Sequence, residues 1–136
     1  MTSKDYLKQI EALDCKIRHK EVQLRELEAR IMQAGGVNYG RERVQSSPKG
    51  DKIADEVIRM VELEEQINAE RAQYFETKER IVNQIHMLSD ARYVDVLVKR
   101  YVEMKDWDLI SDEMNYAPAQ VFRLHREALK AFTFVQ

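Results

Sequence analysis

Tyr6, Ile10, Leu13, Ile17, Lys20, Leu24, Leu27 and Ile31 follow one another at alternating intervals of four and three residues. That spacing winds a narrow apolar stripe along one side of an α-helix and is incompatible with the two-residue period of a strand. Only Lys20 breaks the apolar character of the stripe. The pattern predicts a helix from Ser3 to Ala34, stopped at Gly35-Gly36, because paired glycines favour open and left-handed backbone that a helix interior cannot use. With four glycines and two prolines in 136 residues, and 34% of residues charged, little else interrupts helices, and an all-α fold is expected.

The stretch "GGVNYGRERVQSSPKG", residues 35–50, holds all four glycines and no sustained apolar period, so it reads as a loop. Its Arg41, Arg43 and Lys49 are able to touch phosphate, although a solvated linker is the commoner use of such a segment. A second long helix is expected from Asp51 to about Leu88, where Met60, Ile67, Tyr74, Ile81 and Leu88 recur every seven residues. The companion positions of its seam read as Val57, Glu64, Arg71, Lys78 and Ile85, polar in the middle. Two long helices joined by a loop fold back most simply as an antiparallel coiled-coil hairpin, here residues 1–88. A two-helix hairpin has little interior, so self-association into a homo-oligomer, most simply a dimer, or docking onto the C-terminal domain is expected as well.

Residues 89–136 form the second expected domain. A third helix from about Asp90 to Met104 places Val94, Leu97, Val98, Tyr101 and Val102 on one face. Asp106 is suited to cap a short helix, Trp107 to Met114, and the turn "NYA" leads to Pro118, a residue fitted to the first position of a helix. Val121, Leu124, Ala128, Leu129 and Phe132 make the inward stripe of that last helix, with His125 along its edge. Trp107 and Tyr116 read as core and turn packing.

A small three-helix unit ending in helix, tight turn and helix is the geometry of a helix-turn-helix domain, which projects its second helix into the major groove of DNA. The outward residues of that helix are Ala119, Gln120, Phe122 and Arg123, followed by Arg126 and Lys130. Gln120 suits an adenine edge, Arg123 a guanine edge, and Phe122 a thymine methyl, while Arg126 and Lys130 suit phosphate. Ala117 stands at the cap of this helix and cannot accept its orphan N–H groups, which costs about 1 kcal/mol.

The run "YVDVLVKRYVEMKDWDLISDEMNYAPAQVFRLHREALKAF" resembles region 4 of bacterial sigma factors, and "ERVQSS" with the "W.LI...MNY....V..LH..AL" frame resembles the phage-encoded late transcriptional regulators of the ArpU and RinA kind over nearly the whole chain. The resemblance implies binding to double-stranded DNA near promoters in a phage or prophage context, with RNA polymerase as a second partner.

Charge is segregated along the chain. Residues 53–90 carry nine acidic and four basic groups, whereas 91–136 carry seven of each, with Arg123, Arg126 and Lys130 against Glu127 alone near the end. Nucleic-acid contact is therefore expected at the C-terminal helix. The acidic middle and the balanced last domain also fit another class of protein, one that engages RNA polymerase or a sigma factor and reads no DNA. A ring-forming recognition subunit of phage DNA packaging is a third expectation. Cys15 and His19 have the spacing of half a metal site, but no second cysteine exists to complete one, so no metal and no cofactor are expected. No phosphate loop, nucleophile motif or zinc-protease pair occurs, so the chain does not read as an enzyme. No run of about 20 apolar residues is present, and the expectation is a cytoplasmic protein without membrane attachment.

Overall fold

The computed structural model describes residues 1–36 and 48–134. Every regular element among the described residues is helical, and the protein is all-α. The first helix, α1 (Ser3–Leu7), starts on a reciprocal cap: the Thr2 hydroxyl accepts from the Asp5 amide at 3.1 Å, and the Asp5 carboxylate accepts from the Thr2 amide at 3.3 Å. Lys8 keeps right-handed backbone, φ −73° and ψ −5°, and the chain continues into α2 (Gln9–Ile31), which closes in a π-helical turn at Met32–Gly36. The long α3 spans Pro48–Ile85. It begins three residues before the expected start at Asp51 and ends three before Leu88. Arg41 and Arg43 of the expected loop, and the side chain of Lys49, lie outside the described residues.

The chain divides into two compact units, Cys15–Ala72 and Met1–Asp14 with Gln73–Gln136. In the first of these α2 and α3 run antiparallel. Glu21 meets Arg71 at 3.0 Å, and Arg30 meets Glu56 at 3.8 Å, so later positions on one helix pair with earlier positions on the other. Ile17 and Leu27 are buried as their spacing predicts, and Lys20, Leu24 and Ile31 are half-buried. On α3 the seven-residue series Met60 and Ile67 also faces inward. Its companions do not follow the expected phase. Val57, Glu64 and Arg71 are exposed, and the inward positions are Glu56, Leu63 and Glu70. Both phases share Met60 and Ile67, and the choice falls to Leu63 over Glu64, since a buried leucine contributes roughly 1.5–3 kcal/mol and a buried unpaired carboxylate costs more than that.

The unit formed by Met1–Asp14 and Gln73–Gln136 contains the remaining helices. Asp90 caps α4 (Ala91–Leu97) by accepting from the Arg92 amide at 2.9 Å, and α4 continues through a π-helical segment, Val98–Val102. The third helix thus ends two residues before the expected Met104, which instead takes left-handed backbone with φ 56°. Next come α5 (Trp107–Met114) and α6 (Pro118–Ala131). One core joins Tyr6, Leu7, Ile10, Ile81, Ile85, Val96, Leu97, Tyr101, Ile110, Val121, Ala128 and Phe132. The expected boundary at 88/89 falls inside this unit, because α1 and the end of α3 supply part of its core. Tyr6 anchors the arrangement. Its ring stacks on Phe134 at 4.4 Å and its hydroxyl donates to the Gln84 side chain at 2.7 Å.

Candidate nucleic-acid interface

The segment from α5 to α6 is built by local chemistry that the sequence announces. The Asp106 carboxylate accepts from the Leu109 amide at 2.8 Å and so caps α5, as its position predicts. Asn115 ends α5 in the left-handed region, φ 58° and ψ 40°, a conformation asparagine adopts more readily than most residues. The Tyr116 amide donates back to the Ser111 carbonyl at 3.2 Å, and the Ser111 hydroxyl donates to the Tyr116 carbonyl. These bonds fix a turn of three residues, Asn115 to Ala117. Pro118 then occupies the first turn of α6, where a missing N–H is harmless, and Ala117 makes no side-chain cap.

The helical period of α6 sorts its side chains. Val121, Leu124, His125 and Ala128 point into the core, and Phe132 follows them. Ala119, Phe122, Arg123, Arg126 and Lys130 are exposed on the other side, and Gln120 is half-buried beside them. All six residues singled out from the sequence therefore lie on the part of α6 turned away from its buried stripe. Phe122 meets Trp107 edge-on with ring centroids 5.1 Å apart, which fixes its direction and ties the start of α6 to α5. Arg123 lies 3.9 Å from Glu127, an exposed pair of the kind worth a few tenths of a kcal/mol, and its guanidinium is free to turn to a ligand. The Tyr93 hydroxyl donates to Glu127 at 3.0 Å, a bond that raises the phenol above its ordinary pKa.

His125 differs from its expected place on the edge of the packed face. It is buried and shares a 2.7 Å hydrogen bond with the Tyr101 hydroxyl, and Trp107 meets it edge-on at 4.8 Å. Burial pushes its pKa from 6.5 down to about 4, and the charges of Lys4, Arg100 and Arg126 act in the same direction. The imidazole is thus a neutral core group at pH 7. Arg100 covers the other partner of this cluster, its guanidinium 4.4 Å from the Trp107 ring centre, and donates to the Lys105 carbonyl at 3.1 Å. The seat of Arg100 on the Trp107 ring was not legible from sequence, because no periodicity connects the two residues.

Two other lysines of the unit are already engaged. Lys99 and Lys105 both bind Glu113 on α5, at 2.7 and 2.8 Å, which holds the carboxyl below and the ammoniums above their ordinary values. Cys15 and His19 lie 3.8 Å apart, and among the described residues no three His, Cys, Asp or Glu side chains converge as a metal site would require. No described helix is long and apolar enough to cross a membrane.

These elements define an all-α protein in which a turn of three residues, tied by the Ser111 and Tyr116 hydrogen bonds, joins α5 to α6. The chain belongs to the family described as "Protein of unknown function (DUF1492)", whose model matches residues 36–133. Neither the curated proteins nor the solved structures include a match.

Proposed function

We propose that this protein is a DNA-binding transcriptional regulator in which α5 and α6 act as a helix-turn-helix and α6 enters the major groove. The observation that carries this reading is the division of α6. Its apolar stripe is buried, and its opposite side presents Ala119, Phe122, Arg123, Arg126 and Lys130 to solvent. A helix with side chains has the width of the major groove, and glutamine and arginine near its start match adenine and guanine edges. Similarity to sigma region 4 and to ArpU- and RinA-like regulators supports a role in late gene expression of a phage or prophage. In this reading the α2–α3 hairpin mediates dimerisation, which doubles the contacts with DNA.

A second reading rests on a specific observation as well. Residues 53–90 carry nine acidic groups against four basic ones, and Asp108, Asp112 and Glu113 make α5 acidic. Such a protein suits docking to RNA polymerase or a sigma factor without reading DNA. Gel-shift assays on fragments upstream of a phage late operon, at two salt concentrations, separate the two. Retardation that weakens steeply with salt is expected for the first, and no retardation at low salt leaves the second.

A further inference from the structure

Besides its seam with α2, helix α3 carries a second series of seam spacings on the side turned away. Ile58, Val61, Glu65, Asn68, Ala72 and Phe75 follow one another at alternating intervals of three and four residues. At about 100° per residue they form one stripe, opposite the inward stripe of Glu56, Met60, Leu63, Ile67 and Glu70. All six are exposed. Ile58 and Phe75, at the two ends, are 57% and 64% accessible, and Val61 is 46%. Single apolar residues on a surface are ordinary, whereas Ile58, Val61, Ala72 and Phe75 in the period of a coiled coil make a surface shaped for another helix.

We propose that this stripe joins α3 to the α3 of a second copy of the chain, antiparallel, about a two-fold axis midway between Glu65 and Asn68. This rests on the hairpin-mediated dimerisation in the reading above, and gives it a surface and a register. The order of residues in the stripe selects the occupant. Run in opposite directions, two copies set Ile58 opposite the partner's Phe75, Val61 opposite the partner's Ala72 and Glu65 opposite the partner's Asn68, and the axis repeats each layer. The outer layers are apolar, and in the central ones the Asn68 carboxamide donates to the Glu65 carboxylate. Parallel and in register, the same stripe would set Glu65 against the partner's Glu65 in the middle of the seam, a like-charge contact that disfavours that arrangement. Beside the stripe, Glu64 falls next to the partner's Arg71, whose side chain keeps 48% of its surface exposed while bound to Glu21. On the other flank Glu62 meets the partner's Ala69, which opposes no charge to it. A rim pair such as Glu64 with the partner's Arg71 adds little energy but favours the antiparallel direction.

The test uses the full chain. Sedimentation equilibrium is expected to give a dimer for the parent and a monomer for Val61→Glu, which adds a carboxylate to the seam opposite the partner's Ala72. Because Val61 is exposed in the single chain, the variant should keep the parent's helix content by circular dichroism. Register is read by disulfide trapping with Cys15 removed as Cys15→Ser. Under mild oxidation, Val61→Cys and Ala72→Cys are expected to give a covalent dimer when mixed and none when oxidised separately. Covalent dimers from either variant alone overturn the antiparallel register. A Val61→Glu chain that stays dimeric overturns this face and leaves the hairpin dimer standing, and a parent that is monomeric at every concentration overturns both. None of these outcomes decides whether α6 binds DNA, which the gel-shift reads separately.

Discussion

Lys20 and Glu70 meet inside the seam of the α2–α3 hairpin, a cation and a carboxylate in a row of apolar positions. Lys16 reaches the same carboxylate from 3.4 Å, and the Glu70 Oε2 atom is buried without a hydrogen-bond partner. The hydrogen bond from Lys20 holds the Glu70 carboxyl below its ordinary value despite the opposing effect of burial. Lys20, the one interruption in the sequence stripe, is thus answered by a residue on the facing helix. A polar pair in a seam contributes to register at some cost in stability.

Lys20→Leu leaves Glu70 buried with only the more exposed Lys16, 3.4 Å away, as its partner, and is expected to destabilise the protein by roughly 1–3 kcal/mol in urea unfolding. The double change Lys20→Leu with Glu70→Leu should recover that loss or exceed the parent. A double variant less stable than the single would show that the pair contributes more than it costs.

His125 ties stability to pH. Its folded pKa of about 4 lies below the unfolded value near 6.5, so the unfolded chain binds the extra proton first as pH falls. The His125 contribution is complete above pH 6.5 and is lost between there and pH 4, with an upper bound of about 3 kcal/mol. Unfolding free energies measured from pH 7 to 4.5 should fall in the parent and stay flatter in His125→Phe. The carboxylates held low by their partners, Glu70 and Glu113 among them, lose their contribution at lower pH and leave this window to the histidine.

The cap of α6 is open to improvement. Ala117 has the extended backbone of a cap, φ −65° and ψ 149°, with no side-chain bond to the helix. Ala117→Ser supplies the missing acceptor and should raise stability by about 0.5–2 kcal/mol, seen as a higher urea midpoint with an unchanged slope. No gain would mean that another group already satisfies the first amides of α6.

Arg123→Ala tests base reading within the proposed function. Loss of a bidentate contact to guanine should cost roughly 1–3 kcal/mol of discrimination at one base pair, measured by competition among single-substituted sites. Equal losses on every sequence would assign Arg123 to phosphate.

Much of this architecture is legible in the residues, for reasons that differ by element. The α2 stripe is unambiguous because its spacing admits one phase, and Asp106 and Pro118 mark helix starts by chemistry that works locally. The partner phase on α3 is not legible, since Met60 and Ile67 fit two sets of companions and only the facing helix decides between Val57, Glu64 and Arg71 on one hand and Glu56, Leu63 and Glu70 on the other. The outward row on α6 follows from its period alone. The burial of His125 does not, because it depends on Tyr101 and Trp107 arriving from other helices.

The stack of Tyr6 on Phe134 sets an order of events on the ribosome. The hairpin of Cys15–Ala72 has all its partners once residue 72 has emerged, whereas the other unit waits, with Tyr6, Leu7 and Ile10 already made, until synthesis has passed residue 134. During that interval those three apolar side chains lack their final cover and are open for a chaperone to shield.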